Sequence, residues 1–384
     1  MRKSTCLLPL ALGTFGLGMT EFVMMGILPD IAKSMSISIP AAGHFISMYA
    51  LGVVFGSILL VILGRTRPLK QLLIILVSVF TAANLISAFA GNYHIFCALR
   101  FIAGLPHGAF FGVGAIAAGK LCDIGKKNQA VATMVSGMTI ANLFGIPLGT
   151  FISHNFSWRI TFLIIGLFGF FVLYSVLKFV PYLNPLPDTG FRGQFEFFKS
   201  PVPWILILAV IMGNGGIFCM YSYINPLLVK TAGILPKYVS FVMVLAGAGM
   251  CAGNILGGKF SDKFSPAIVA AVTQLVASVS LLLMFFCAGS PFVAVALMCV
   301  CTACLFAISA PQQVLLIENS KGGEILGASC SQISFNLGNA AGAFFGGMPV
   351  TYGFGYEYTA LSGVLFAFIG FSLLFYFFKK YESL

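Results

Sequence analysis

The sequence predicts an all-α membrane protein of twelve transmembrane helices in two pseudo-symmetric six-helix bundles, and three observations carry that reading. Of the 384 residues, 59% are hydrophobic and only 8% are charged, where a soluble domain holds about 25% charged residues. Twelve apolar runs of about 20 residues, the length that crosses the hydrocarbon core of a bilayer, are separated by polar or Gly/Pro breaks. Lys and Arg are shared very unequally between the two sets of alternate loops.

The runs lie near 7–28, 42–63, 71–90, 94–118, 129–152 and 160–179, then near 203–228, 239–258, 267–288, 292–316, 326–350 and 359–378. An even number of spans puts both termini on one side. Sixteen of the 21 basic residues fall on that side, among them Arg2, Lys3, Arg65, Arg67, Lys120, Lys263, Lys379 and Lys380; Lys33, Arg159, Lys230 and Lys237 fall on the other, and Arg100 lies inside a span. By the positive-inside rule both termini are cytoplasmic. The same distribution accounts for the net charge of +11 without a nucleic-acid partner.

The longest polar break runs from Pro181 to Pro203 and contains Asp188, Arg192, Glu196 and Lys199. It predicts an N-terminal bundle over 1–180, a cytoplasmic linker over 181–202 and a C-terminal bundle over 203–384. Ala141 to Gly145 in span 5 returns as Phe335-Asn336-Leu337-Gly338 in span 11, an offset of 194. Two parallel six-helix repeats are a known transporter plan.

Several motifs point elsewhere and are set aside. Leu7 to Leu28 follows a basic start as a secretory signal would, but it is too long, holds Glu21, lacks a small-residue cleavage site and precedes eleven more spans. The ten cysteines lie almost all inside apolar runs, as small hydrophobes would. Cys299, Cys301 and Cys304 have no His or carboxylate near in sequence, so no metal is expected. Gly253 to Lys259 has the G-x-x-x-x-G-K spacing, yet Phe260 replaces the Ser/Thr and the stretch ends an apolar helix. No nucleotide, no other cofactor and no enzymatic chemistry is expected. Asn155-Phe156-Ser157 is a glycosylation triplet without use in a bacterial chain.

Of the ten acids only Glu21 lies well inside a span. Span 1, at 1.5 Å per residue, is about 33 Å long. An ionised group near mid-bilayer costs about 2.5–3.5 kcal/mol even on lenient scales, so such residues usually face a cavity or a partner and mark an ion or substrate path. Glu21 is therefore the first candidate for carrying a proton, the alternative being a structural carboxyl bonded between helices. Arg100 enters span 4 at a comparable depth, roughly 10 Å below the outer surface. If spans 1 and 4 are neighbours the two can pair. His107 shares a helical face with Arg100 and Gly104, and it can be either a titrating group or a neutral imidazole bonded to a carbonyl.

Span 5 carries Gly137, Gly145, Pro147 and Gly149, and span 11 carries Gly338, Gly342, Gly346 and Gly347. Small residues and Pro suit close packing and bending of membrane helices. In the second half, Asn214, Tyr221, Tyr223 and Asn225 of span 7, Gln312 and Gln313 of span 10, and Gln332, Asn336 and Asn339 of span 11 are neutral polar groups. They either line a site for an uncharged, hydroxylated ligand or tie helices together.

At these residues the chain resembles the major facilitator superfamily, in particular its bacterial twelve-span drug and sugar efflux proton antiporters of the arabinose-efflux-permease type. The resemblance runs the whole length. It is carried by Gly13 to Phe22 with Gly26-Ile27-Leu28-Pro29 in span 1, Pro106 to Gly114 in span 4, and Gly145 to Thr150 in span 5. It implies spans 1, 4, 7 and 10 around a central cavity, and Arg100 as the span 4 arginine associated with proton coupling. It further implies that span 5 is a variant of the antiporter Gly/Pro motif, with Ile146 between Gly145 and Pro147. The family's Gly-x-x-x-Asp-Arg gating motif is degraded in the loop after span 2, where Arg65 replaces the acid. The loop after span 8 keeps the glycine and the acid and has a basic residue in the Arg position, Gly258 to Lys263, which makes Asp262 and Lys263 the expected gate contacts.

The expected function is therefore a proton-coupled secondary transporter that exports a small neutral solute, a sugar or sugar-like compound, by alternating access. A proton-linked importer, a uniporter and a non-transporting membrane receptor or scaffold are the alternatives. The expected partners are the solute, the proton and the lipid of a bacterial inner membrane, with the protein a monomer.

Overall fold

A computed structural model of the protein describes residues 3–63, 67–121, 127–184, 198–261, 263–319 and 324–382. All regular structure among them is helical. Spans 1 to 4 are α1 (Lys3–Ser34), α2 (Ile39–Leu63), α3 (Leu69–Ser87) and α4 (Tyr93–Leu121). Span 5 is α5 (Lys127–Ile140), a π-helical turn (Ala141–Gly145) and α6 (Ile146–Asn155), and span 6 is α7 (Trp158–Phe179). Span 7 is α8 (Pro201–Tyr221), the single turn α9 (Ile224–Pro226) and a π turn (Leu227–Thr231). Then come α10 (Pro236–Ser261) and α11 (Pro266–Cys287), span 10 as α12 (Pro291–Ala307) and α13 (Ser309–Glu318), then α14 (Glu324–Thr351) and α15 (Glu357–Phe377). Eleven segments among the described residues are long and apolar enough to cross a membrane. The 28-residue α14 stands where span 11 was expected.

Local chemistry explains where these helices start and break. Ser157, Ser200 and Ser265 cap α7, α8 and α11 by accepting from the backbone N–H of Arg159, Val202 and Ile268, which satisfies one orphan donor at each start. Pro201, Pro266 and Pro291 occupy the first helical position, where a missing N–H costs nothing. Three spans are interrupted, and each interruption lies four residues before a proline. Pro147, Pro226 and Pro311 cannot donate to the carbonyls of Leu143, Ser222 and Ala307. These mark the π turn of span 5, the end of α8 and the end of α12. Pro9, Pro29, Pro106 and Pro349 stay within continuous helices.

By contact the chain separates into two units, Met1–Met35 with Met48–Thr189, and Ser36–Ser47 with Gly190–Leu384. The first turns of α2 thus belong with the second unit, where Ser47 Oγ donates to the Ala340 carbonyl at 2.9 Å.

Inside the first unit α1 lies against span 5. A Cβ at Gly137 would overlap the Ala11 carbonyl, and Thr14 donates to the Met134 carbonyl. The other close approach is between α2 and α4. Side chains at Gly52 and Gly56 would overlap the carbonyls of Phe101 and Leu105, and one at Gly104 the carbonyl of Tyr49. Small residues are what allow helix backbones to meet this closely in lipid, and this crossing sets the position of Tyr49 relative to α4.

Candidate functional site

The first unit holds a buried polar cluster built by α1, α2 and α4. Glu21 of α1 is 2% exposed, and Tyr49 of α2 and Arg100 and His107 of α4 are each 1% exposed. Arg100, Gly104 and His107 follow one another at helical spacing, so the glycine that admits the Tyr49 backbone lies between the two candidate side chains. Arg100 Nη1 donates to the Thr20 carbonyl at 3.1 Å, its guanidinium carbon is 4.3 Å from the centre of the Tyr49 ring, and Phe162 of α7 is 5.8 Å away. The cation therefore faces an aromatic ring on one side and the helix that carries Glu21 on another. Arg100 and Glu21 are within electrostatic reach of each other.

His107 stands between the carboxylate and the tyrosine. Its Nε2 is 3.8 Å from Glu21 Oε2, and its Nδ1 is 2.9 Å from the Tyr49 hydroxyl. Phe111, one helical turn further along α4, stacks on the imidazole with ring centres 5.2 Å apart and planes 18° from parallel, so the ring presents its edges to Tyr49 and Glu21. Beside the cluster, Thr20 donates to Asn84 Oδ1 at 3.2 Å and Asn84 Nδ2 donates to the Phe80 carbonyl at 2.8 Å, which ties α1 to α3. A carboxylate, an imidazole and a guanidinium removed from water among apolar helices are costly unless paired and hydrogen-bonded. The arrangement can hold a proton, exchange it through an imidazole and answer its arrival with a neighbouring fixed cation.

A second carboxylate–imidazole pair lies at the outer end of α1. Asp30 Oδ2 accepts from Ser153 Oγ at 2.7 Å and lies 2.7 Å from His154 Nδ1. These side chains are 27% and 14% exposed for Asp30 and His154, so this pair reaches solvent where the inner one does not. Arg159, nearby in sequence, has its Nη1 on the carbonyls of Ala88 and Ala90 at 2.9 and 2.8 Å.

The polar residues of the second half divide into two groups. Asn214 Nδ2 donates to Gln312 Oε1 at 3.2 Å and to the Val210 carbonyl at 2.9 Å, which joins α8 to α13. The remaining amide atoms, Asn214 Oδ1 and Gln312 Nε2, are buried without a hydrogen-bond partner among the described residues, as is the Tyr221 hydroxyl. Tyr223 donates to the Ala343 carbonyl at 2.7 Å. Asn336 donates back to the Gln332 carbonyl of its own helix at 3.0 Å; Asn225 is buried, and Gln313 and Gln332 are half-buried. Of the expected gating residues, Gly145 and Gly149 pack against Met19 and Val23 of α1 and Pro147 follows the π turn. Lys263 is exposed, and Asp262 and Arg65 lie outside the described residues.

Tyr49 and the Asp30–His154 pair were not singled out from sequence. For Tyr49 the available signal was a phenol inside an apolar run, whose hydroxyl needs a partner once buried. For Asp30 and His154 it was that the outer ends of spans 1 and 5 carry an acid and an imidazole.

The sequence matches the Major Facilitator Superfamily over residues 10–329. It is 46% identical to "Putative transporter AraJ" of Escherichia coli K12 over 368 residues, covering 96% of this chain and 93% of that protein. It is 35% identical to the inner membrane transport protein YdhP of the same strain over 375 residues, 98% and 96% of the two chains. Among solved structures, the D-xylose–proton symporter superposes with a TM-score of 0.76 at 18% identity, covering 95% of this chain and 96% of that one, a likeness of fold.

Proposed function

The chain belongs to the Major Facilitator Superfamily of secondary transporters, and on that premise we propose that it exports a small neutral solute, a sugar or sugar-like compound, in exchange for protons by alternating access. The observation that supports this reading is Glu21, a carboxyl 2% exposed in the middle of a spanning helix with His107 and Arg100 as its neighbours. Intramembrane acids of this kind mark proton and ion paths. Glu21 is the proton carrier, His107 its exchange partner and Arg100 the fixed cation that registers whether the carboxyl is charged.

The solute side of the reading rests on the neutral character of the second half. The joined amides Asn214 and Gln312 keep one buried acceptor and one buried donor without a hydrogen-bond partner among the described residues, and Tyr221 adds a hydroxyl; such groups recognise hydroxylated, uncharged molecules. Tyr223, Asn225, Gln313, Gln332 and Asn336 complete the candidate set. Asp262 and Lys263 act as the cytoplasmic gate, and the π turn before Pro147, with Gly145 and Gly149, lets span 5 move against α1. The outward direction follows the resemblance of the span 1 and span 4 stretches to efflux members of the family, of whose span 5 motif this chain has a variant. The protein works as a monomer in the bacterial inner membrane with both termini in the cytoplasm, as the basic residues arrange it.

The test is proton movement in sealed inside-out vesicles carrying the protein, challenged with a panel of sugars and apolar drugs. Release of protons from the vesicle lumen on adding a neutral sugar supports sugar–proton exchange. Solute flux without proton movement overturns the coupling, and release only on adding drugs overturns the choice of solute.

A further inference from the structure

The inner cluster contains one titratable side chain that the reading above does not use. Tyr49 lies on the far edge of the His107 ring from Glu21, with its hydroxyl 2.9 Å from Nδ1 while Nε2 is 3.8 Å from the carboxylate. We propose that Tyr49, His107 and Glu21 form a three-membered proton relay in which the Tyr49 hydroxyl, bonded to Nδ1 in either tautomer of His107, passes the proton that Glu21 receives. The proposal rests on Glu21 as the proton carrier and assigns the route by which it is loaded.

The donor and acceptor inventory leaves two matched states. An ionised Glu21 only accepts, so His107 keeps its proton on Nε2, facing the carboxylate, and Nδ1 accepts from the Tyr49 O–H. A protonated Glu21 donates toward Nε2; the ring proton then resides on Nδ1 and the Tyr49 oxygen accepts it. Passing from the first state to the second consumes one proton. The Tyr49 O–H bond breaks as Nδ1–H forms and the Nε2–H bond breaks as the Glu21 O–H forms; Tyr49 is 1% exposed in this conformation, so the hydronium ion that restores its hydroxyl and leaves as water does so in the conformation of the transport cycle that admits water to Tyr49. His107 is neutral at both ends of the step, so no imidazolium has to persist in a site closed to water, where an added charge is costly.

The geometry also supplies the switch. At 3.8 Å the Nε2–Glu21 contact is longer than a hydrogen bond, so the relay is joined at the tyrosine and open at the carboxylate, and closure needs an approach of about 1 Å. Phe111 keeps the imidazole edge-on during that approach. Arg100, 4.3 Å over the Tyr49 ring and bonded to the backbone of Thr20, couples the tyrosine platform to the turn of α1 that carries Glu21. The titratable groups at this place are Glu21 from α1, Tyr49 from α2, and Arg100 and His107 from α4; α3 contributes Asn84 and α7 contributes Phe162, neither of which titrates.

The experiment uses the full chain reconstituted in lipid. Tyr49→Phe keeps the ring that faces Arg100 and removes only the hydroxyl, and His107→Asn keeps a group that can bond Tyr49 while removing Nε2. Histidine nitrogen NMR, with the His107 signal assigned by its loss in His107→Asn, reads the tautomer. The relay predicts that the parent's His107 passes from the Nε2–H to the Nδ1–H tautomer as falling pH protonates Glu21, that this passage is lost in Tyr49→Phe, and that proton-driven flux falls in both variants by on the order of a hundredfold, the scale of a positioned proton donor, with downhill solute exchange kept in Tyr49→Phe. A parental tautomer passage and parental proton-driven flux in Tyr49→Phe overturn the relay, and the retained downhill exchange certifies that the variant is folded. If Glu21→Gln itself keeps proton-driven flux, the reading of Glu21 as carrier fails; if Glu21→Gln loses it while Tyr49→Phe and His107→Asn do not, only the relay fails.

Discussion

In the first unit, Gly52 and Gly56 of α2 clear the carbonyls of Phe101 and Leu105 on α4; in the second, Gly249 and Gly253 of α10 clear those of Cys299 and Ala303 on α12. The offset is 197 residues on one helix of each pair and 198 on the other, so the same crossing is built twice. Carried through those offsets, Tyr49 corresponds to Ala246, Arg100 to Met298 and His107 to Leu305, all three buried. Gly104 corresponds to Thr302, whose hydroxyl donates to the Ala246 carbonyl at 3.2 Å. The scaffold is duplicated and the titratable chemistry is present in one copy. Close helix crossing in lipid demands small residues whatever the function, whereas an intramembrane charge persists only where it is used.

The sharpest way to break this contrast is Glu21→Gln. The amide is nearly isosteric, so the variant folds and reaches the membrane, while proton-driven accumulation of solute collapses to equilibration. Uphill and downhill fluxes equal to the parent's in sealed vesicles would make the carboxyl structural and remove the functional difference between the units. The next largest effects are on stability and are expected to be alike in the two units. Gly104→Ala puts a Cβ onto the Tyr49 carbonyl and Gly253→Ala one onto the Ala303 carbonyl. Overpacking of this kind costs about 1–3 kcal/mol, read as lowered melting temperatures in detergent. Gly104→Ala, which displaces the Tyr49 backbone, lowers coupling as well, and Gly253→Ala does not.

What could be read from sequence follows the same division. Composition, run length and the bias of Lys and Arg are global quantities, so the twelve spans and their helical nature were legible, and the single deep acid and the single intramembrane arginine stood out against an apolar background. Glu21 and Arg100 lie on helices that meet, with Arg100 bonded to the carbonyl of Thr20 beside Glu21. The π turn at Ala141–Gly145 was not legible, since proline announces a missing donor but not which register absorbs it; Pro106 lies within an unbroken α4. Tyr49 was missed because phenols are common in apolar spans, and only the α2–α4 crossing reveals that this one meets an imidazole. The polar residues of spans 7 and 10 were legible as a set, but their pairing was not: Tyr223 goes to a backbone carbonyl and Asn214 to Gln312.

That pairing gives an intermediate effect. Asn214→Ala removes the bond to Gln312 and leaves a buried amide without its partner, a loss of about 1–3 kcal/mol at most. If the pair contacts the solute, Asn214→Ala and Gln312→Ala weaken solute binding by similar factors, and the double variant is little worse than either single one, since the two act as one unit. Proton binding by the first unit, followed without solute, stays at the parental level. Additive losses in a binding titration would show that the amides act separately, and parental binding in all three variants would show that the pair is helix glue.

The smallest effect belongs to the second pair on α1. Asp30 and His154 look like Glu21 and His107 moved nine residues outward, and their contact is the shorter of the two, 2.7 Å against 3.8 Å. Nine residues at 100° each bring Asp30 to the opposite face of the helix from Glu21, so it meets α6 and not α4. It is also 27% exposed, and water already screens a pair of that kind to about 0–1 kcal/mol. Asp30→Asn, which retains an oxygen for Ser153, is therefore expected to lower thermal stability by less than about 1 kcal/mol and to leave proton-driven flux at the parental level across the pH range. Burial and facing, not the strength of the contact in one conformation, then decide which carboxylate–imidazole pair carries the proton. Loss of coupling in Asp30→Asn as complete as in Glu21→Gln would show that the proton path extends along both faces of α1 to the outer surface.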